Sequence, residues 1–427
     1  MNIKSLLLGS AAALVAVSGA RAADVIVPVA AEPADYVRVC DVYGTGFYYI
    51  PGTETCLSVS GYVRFKYAVV DNAATNNDEG DDYAAGSGVR VRLNFDAREE
   101  TELGTLRAFA RVQATQAFGN RSGSIGGSDQ NYSMDLGYIQ LGGLTMGYLD
   151  TLWTEGGGLL TDTDLPVGDF QVNRVSYTYA ANGFSAAVSL EDDGSRDFAP
   201  DVVARLGYDA GFGSLYIAGS YDENVELNTY RNRDFGATAF VGSDGRTRYI
   251  DNNGVLVTSR YSTRAGLLST EVEEDAFALK GGVSLKDVVM TDSELKIEGS
   301  YAFDPTAYST IGLFDNVRSI GNNDIGVNSN IPVEWQVGAG YAQSFGKLGL
   351  AFSGVYGETF DLYADVNGDG VRDMLGTGEY YKLVGNVGYE ITNNFDMLAE
   401  VSYTDIEFDN GTQSDQTAGF IQFIRSF

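Results

Sequence analysis

From residue 57 onward the chain alternates. Leu57, Val59, Val63, Phe65, Tyr67 and Val69 share one parity, and Ser58, Ser60, Arg64 and Lys66 share the other. Val89, Val91, Leu93, Phe95 and Ala97 face one way; Arg90, Arg92, Asn94, Asp96 and Arg98 face the other. Successive side chains of an extended chain point to opposite sides, so a period of two with one apolar face is a half-buried strand. The pattern continues to the last residue, broken by Gly, Asn and Asp clusters that read as turns and loops. It predicts sixteen strands near 57–70, 88–98, 105–117, 134–141, 143–149, 173–180, 184–190, 201–209, 214–221, 276–285, 293–302, 332–344, 348–357, 380–389, 395–403 and 415–427.

The connections alternate in length. Ala181-Asn182-Gly183, Phe345-Gly346-Lys347 and the stretches 210–213 and 391–394 are short, whereas 71–87, 118–133, 150–172, 222–275, 303–331 and 358–379 are long. Short turns on one rim and long loops on the other are the layout of a transmembrane barrel, and a soluble sandwich has no reason to sort its loops this way. Aromatic residues support the assignment. Tyr67, Tyr221, Tyr301, Tyr356 and Tyr403 close odd strands on the apolar parity, and Phe95, Tyr179, Tyr208, Tyr341 and Tyr389 lie near the ends of even ones. Two aromatic girdles follow, where amphipathic rings settle at both membrane interfaces. The chain ends in Phe420-Ile421-Gln422-Phe423-Ile424-Arg425-Ser426-Phe427, an alternating strand that can pair with the first and close the sheet. The fold class expected is all-β: an antiparallel transmembrane β-barrel of about sixteen strands.

Composition removes competing chemistries. Among 427 residues there is no histidine, which excludes Ser-His-Asp, Cys-His and His-metal mechanisms. Two cysteines cannot build a four-cysteine zinc or iron–sulfur site. A net charge of −30 argues against a nucleic-acid partner, which needs a basic footprint.

The N-terminus reads as an address. Lys4 precedes an apolar run from Leu6 to Val17, and Ala20-Arg21-Ala22 is a small-x-small cleavage site. The run is too short for a membrane helix, so 1–22 is expected to be a secretory signal peptide, with the mature chain starting at Ala23. Its removal takes two basic residues and no acid, leaving the remainder more acidic still. Export makes a Cys40–Cys56 disulfide the expected state of the cysteines, contributing about 3 kcal/mol by loop-closure entropy. The domain reading is 1–22 signal peptide, 23–56 periplasmic segment carrying the disulfide, and 57–427 barrel.

Tyr36-Val37-Arg38-Val39-Cys40-Asp41, Tyr48-Tyr49-Ile50-Pro51-Gly52-Thr53-Glu54-Thr55-Cys56-Leu57 and Gly61-Tyr62-Val63-Arg64 together resemble the opening of the alphaproteobacterial outer-membrane porins. So do Tyr138-Ile139-Gln140-Leu141-Gly142-Gly143-Leu144-Thr145-Met146-Gly147, Arg174-Val175-Ser176-Tyr177 and the terminal Arg425-Ser426-Phe427. The cysteine-flanked segment is the specific part of this resemblance. It implies a sixteen-stranded general diffusion porin, usually a homotrimer, passing small hydrophilic solutes. It also implies a third long loop folded into the lumen as a constriction.

Selectivity in such a pore comes from charges at its narrow level. Arg64, Arg92 and Arg111 lie midway along the first three strands on the inward parity, with Arg90 and Arg107 beside them. These five form a candidate basic wall. The loop 150–172 should stand opposite, carrying Asp150, Glu155, Asp162, Asp164 and Asp169 together with Trp153 and the bend Gly156-Gly157-Gly158. Acids facing arginines across water would create a transverse field that orients dipolar solutes. A solvated lumen face and an ordinary acidic loop are the plainer alternatives.

Asp365, Asn367, Asp369 and Asp373 alternate around Gly368 and Gly370 like the start of a calcium loop, but position twelve is Gly376 rather than a glutamate, which favours a simple turn. No cofactor is otherwise expected. Acidic outer loops could hold divalent cations that bridge to lipopolysaccharide, the expected neighbour alongside outer-membrane lipid. A passive channel leads; a surface adhesin using 222–275 is the alternative, because Arg231, Arg233, Arg246, Arg248, Arg260 and Arg264 are interspersed there with Tyr230, Tyr249 and Tyr261.

Overall fold

The computed structural model describes residues 38–71, 83–116, 130–195, 198–223, 238–241, 247–250, 256–257, 270, 275–313, 331–364 and 373–427. The chain divides into two compact units, and the architecture below belongs to Val39–Phe427. The leader segment 1–22, residues 23–37, Asp365, Asn367, Asp369 and most of the arginines of 222–275 lie outside the described residues.

Sixteen long antiparallel strands make the wall: β1 Cys56–Val70, β2 Ala84–Thr101, β3 Gly104–Gln116, β4 Gln130–Leu141, β5 Leu144–Asp150, β6 Gln171–Ala181, β7 Phe184–Glu191 and β8 Asp201–Ala210, followed by β9 Gly213–Glu223, β10 Asp275–Lys286, β11 Ser293–Ala302, β12 Ile331–Phe345, β13 Leu348–Thr359, β14 Gly378–Thr392, β15 Phe395–Phe408 and β16 Gln413–Ser426. Each pairs with its sequence neighbour, and β16 pairs with β1 from Tyr62↔Ser426 to Val70↔Ala418, closing the barrel. Gly61 and Phe427 exchange both backbone hydrogen bonds at 3.0 Å, so the seam runs to the final residue. Closure leaves no row of unpaired N–H and C=O groups along the wall, the condition a sheet must meet to sit in lipid.

The alternation behaves as the period requires. On β1, exposed Val63, Phe65, Tyr67 and Val69 alternate with half-buried Arg64 and Lys66. Along other strands exposed Val175, Leu279, Phe352 and Val401 likewise alternate with more buried neighbours, as a lipid-facing surface demands. At the long-loop rim Tyr221, Tyr301 and Tyr356 direct their hydroxyls to Asp275, Glu334 and Glu379, at 3.0, 3.2 and 2.9 Å. Each ring thus sits at the apolar edge with its polar end tied to a carboxylate.

Strand edges depart from the period count where side chains stop alternating but pairing continues. β2 begins at Ala84 and β4 at Gln130, each four residues ahead of the expected start, and β15 runs to Phe408. The Cys40–Cys56 disulfide is formed. The short strand Phe47–Tyr49 pairs with the first residues of β1 and buries Phe47 against the two cysteines. Three small strands, Thr238–Val241, Thr247–Ile250 and Leu256–Val257, make a separate sheet within 222–275 and carry Arg248 and Tyr249.

The apolar core of this molecule is inside the barrel. Leu159, Leu165 and Val167 from the loop between β5 and β6 pack with Ile311 and Leu313 from the loop after β11, and with Val355 and Tyr380 of the wall. Leu152, Trp153 and Tyr308 form a second cluster against Ala218, Ala278 and Ala302. Small wall residues leave room for large loop residues. The polarity of a porous barrel interior is therefore inverted on this side, where loops replace water.

Candidate constriction site

The loop 151–170 leaves β5 at the long-loop rim and turns into the lumen. Gly156 (φ +72°) and Gly158 (φ +90°) adopt the left-handed conformation that lets the chain reverse there. Lys296 on β11 holds the bend by donating to the carbonyls of Gly156 and Gly157 at 2.7 and 3.0 Å. Trp153 is fully buried, donates from Nε1 to Val167 O at 2.9 Å and meets the Tyr308 ring edge-on at 6.0 Å. Thr151 Oγ1 and Leu152 N donate to Glu191 at the top of β7, at 2.6 and 2.9 Å. The far end is fastened to Glu400 on β15, whose carboxylate accepts from Asp162 N, Thr163 N and Thr163 Oγ1 at 2.7, 2.8 and 2.6 Å. The loop is therefore fixed against the wall at its start and at its tip.

The five arginines occupy the inward face of β1–β3 but differ in their pairing. Arg107 shares Asp96 with Arg98, at 2.8 and 2.7 Å. Arg92 and Arg111 reach Asp135 on β4 at 3.3 and 3.5 Å, Arg92 also donates to Gln113, and Arg111 to Asn94. Arg64 and Arg90 are direct cross-strand partners and make no ion pair among the described residues. Phe109 and Tyr138 stack at 5.1 Å beneath the Arg107 guanidinium, an apolar shelf inside the polar wall.

A cavity of about 530 Å³ lies between this wall and the loop. Arg92, Arg111 and Asp135 line one side, and Asp150, Glu155 and Asp169 line the other. Asp162 stands 3.5 Å from Lys66 of β1, so the tip of the loop also reaches the basic strands. Asp164 turns the other way: its carboxylate accepts from Leu159 N, and burial raises it above the usual carboxylate range. Asp169 is raised too, first because the surrounding walls strip part of its hydration and then by the charge of Asp150.

Several residues of the site were not evident from the sequence. Asp135 reaches the arginines because the β3–β4 register slips between Arg111 and Val112, inserting one residue into β4. A parity count from Ile139 places Asp135 on the lipid face; the bulge turns it inward. Glu191, Glu400 and Lys296 act across the lumen, where no local pattern announces them. Of the calcium-like segment only Asp373 falls among the described residues, as the first residue of the strand Asp373–Gly376.

Comparison with known proteins agrees with this architecture. The family model described as porin subfamily matches residues 24–422. Porin Omp2b of Brucella canis is 42% identical over 248 residues, covering 53% of this chain and 67% of the relative. Omp2b of Brucella melitensis biotype 1 is 41% identical over 247 residues, with the same coverage. Among solved structures, the outer-membrane channel DcaP of Acinetobacter baumannii aligns with a TM-score of 0.53 at 14% identity, over 89% of this chain and 99% of that one. A loop-deleted form of OmpT, an outer membrane protein of Vibrio cholerae, aligns at 0.50 and 13% identity, over 88% of this chain and all of the other. These two share the barrel fold. The chain belongs to the porin subfamily of alphaproteobacterial type, and is an outer-membrane channel of Gram-negative cells rather than an enzyme.

Proposed function

We propose that the barrel is a passive, water-filled pathway for small hydrophilic solutes and ions. Its selectivity is set where the arginines of β1–β3 face the acidic residues of the loop between β5 and β6. The observation that carries this reading is the single cavity lined at once by Arg92 and Arg111 and by Asp150, Glu155 and Asp169. Opposed charges across a narrow aqueous gap make a transverse field, strong because protein walls of low dielectric focus it. Large apolar solutes cannot compete with water for such a level, whereas small polar ones pass with their dipoles aligned.

Residues 1–22 act in this reading as a signal peptide removed on export, residues 23–56 as a periplasmic segment, and the assembly is a homotrimer in contact with lipopolysaccharide. The support is the leader pattern and the likeness of the cysteine-flanked opening to the family.

Planar-bilayer recording tests the channel directly. Discrete conductance steps are expected, with a reversal potential in a salt gradient that moves toward cation preference when Arg64, Arg92 and Arg111 are together changed to Gln. An unmoved reversal potential would overturn the assignment of the wall. Absence of conductance would overturn the channel.

A further inference from the structure

At the long-loop rim a row of inward side chains crosses β6, β7, β8 and β9. Arg174 on β6 is the cross-strand partner of Glu191 on β7, and Glu191 is the partner of Asp201 on β8. Asp222 on β9 stands one step beyond the Tyr221↔Val202 pair and lies within hydrogen-bond reach of Asp201. All three carboxylates are buried: Glu191 is 0% exposed, Asp222 3% and Asp201 4%. Like charges in adjacent register repel. Two carboxylates in hydrogen-bond contact hold a proton between them, because both cannot ionise side by side. Arg174 does not cancel the row. Its Nη1 stays 3.9 Å from Glu191 Oε1 and makes no hydrogen bond, although the residue is buried.

Two loops hang on this row. Glu191 accepts from Thr151 Oγ1 and Leu152 N at the root of the loop 151–170. Asp222 accepts from Thr306 Oγ1 and Ala307 N at 2.5 and 3.0 Å, in the loop after β11. The Tyr308 hydroxyl of that loop lies 3.0 Å from Glu191 and 3.1 Å from Asp201, and its one proton serves one of them at a time. Burial, then the charges of Glu191 and Asp201, hold this hydroxyl protonated well above the usual phenol range, so the mobile proton belongs to the carboxylates. The remaining charged groups facing the row are Asp193, from the loop after β7, and Glu223 of β9, whose N–H donates to Asp201. β10 presents Ala276 and Ala278 at this level, and β11 presents Ala302. The two loops also grip each other: Gly168 N donates to Thr310 O at 2.8 Å, and the Phe170 and Tyr308 rings meet at 5.2 Å. Lifting Tyr308 therefore loosens the loop 151–170 from behind.

We propose that the carboxylate row is an alkali-sensitive latch: the proton shared by Asp201 and Asp222 keeps Tyr308 and the loop 303–313 seated, and its loss unseats them and loosens the loop 151–170. A further full charge in a space closed by Trp153 and Tyr308 calls for water and cations, and these enter only as Tyr308 lifts. The folded, seated form is the one that holds the proton. Seating is therefore complete in acid and at neutrality, and is lost as rising pH removes the proton. The inference rests on the channel reading and adds a regulation to it.

The test records single-channel current of the full-length protein in planar bilayers, stepwise upward from pH 7 and stopping short of ordinary tyrosine ionisation. A reversible rise in conductance and current noise is expected. Asp222→Asn bridges to Asp201 with an N–H that does not titrate, so it should keep the neutral conductance and lose the alkaline rise. Arg174→Gln removes the cation that favours ionisation of the row, and should move the rise upward by about one pH unit. A conductance independent of pH in the unaltered protein, or an alkaline rise that persists in Asp222→Asn, overturns the latch. Should Asp222→Asn fail to fold, Trp335→Phe leaves Trp153 as the sole tryptophan. Its quenching by acrylamide should then increase over the same pH interval, and constant protection overturns the latch. If no current flows at any pH the channel reading falls, and the quenching alone decides the latch.

Discussion

Arg64 on β1 and Arg90 on β2 face each other as direct partners in the antiparallel register. Eight residues further along β2, Arg98 and Arg107 on β3 are partners in the same way, but Asp96 sits between them at 2.7 and 2.8 Å. The lower pair is half neutralised; among the described residues the upper pair makes no ion pair, and Arg90 Nε has no hydrogen-bond partner. Like charges directly opposite on a sheet are destabilising. A bare pair on the water face of a pore is therefore a cost in stability set against a local positive potential. Changing both residues to Gln should leave the barrel as stable or more stable by roughly 0.5 kcal/mol, while shifting the reversal potential toward cations. The two effects are read by heat-modified gel mobility and by bilayer recording. The double change Arg98→Gln with Arg107→Gln should shift selectivity less, because that charge is already half cancelled.

The loop is seated against glycine. A Cβ on Gly340 of β12 would collide with the Leu159 carbonyl, and one on Gly338 with the Leu159 side chain and Val355. Gly340→Ala is therefore expected to push the loop away from β12 and toward the arginines, without removing any of its hydrogen bonds. Single-channel conductance should fall while strand content by circular dichroism stays constant. Trp153→Ala works oppositely. It empties a fully buried site at a cost of about 3–5 kcal/mol, and should raise conductance and current noise as the loop loosens.

Acid should weaken one face of the constriction before the other. Asp169 is held above the usual carboxylate range, so as pH falls it loses its charge earlier than a well-hydrated aspartate, while the arginines stay charged throughout. The sign is a drift toward anion preference that starts at a higher pH than ordinary carboxylates would give. Reversal potentials measured stepwise from pH 7 downward should show it. In Asp169→Asn the onset should move to lower pH.

The disulfide ties the segment that carries the strand Phe47–Tyr49 to Cys56, the first residue of β1, with the Phe47 ring 5.1 Å from the Arg98 guanidinium. Replacing both cysteines by Ala should cost about 3 kcal/mol by the loop-closure model and lower the temperature at which the folded gel form is lost.

Most of this fold was legible because a barrel wall obeys one rule along its length. Val63, Arg64 and Phe65 declare their faces by order alone, and the inward parity of Arg64, Arg90, Arg92, Arg107 and Arg111 follows without further information. The loop 151–170 was legible through its glycine bend and family likeness, but its attachments were not. Glu400 is far from Thr163 in sequence, and only the closed cylinder brings them together. Asp135 was not legible, because a single inserted residue reverses parity without leaving a compositional mark. The lumen core was hidden for a related reason: Tyr308, Ile311 and Leu313 sit in a long connection, and apolar residues in a loop carry no period to reveal what they bury against.

The seam between β1 and β16 unites residues as far apart in order as Tyr62 and Ser426. Joining such remote stretches is slow, since most of the chain must be ordered before that last ladder rewards it. Until it zips shut, the nascent cylinder carries two raw flanks that would anneal with any neighbouring strand. The last ladder to form is thus also the one that retires both flanks at once.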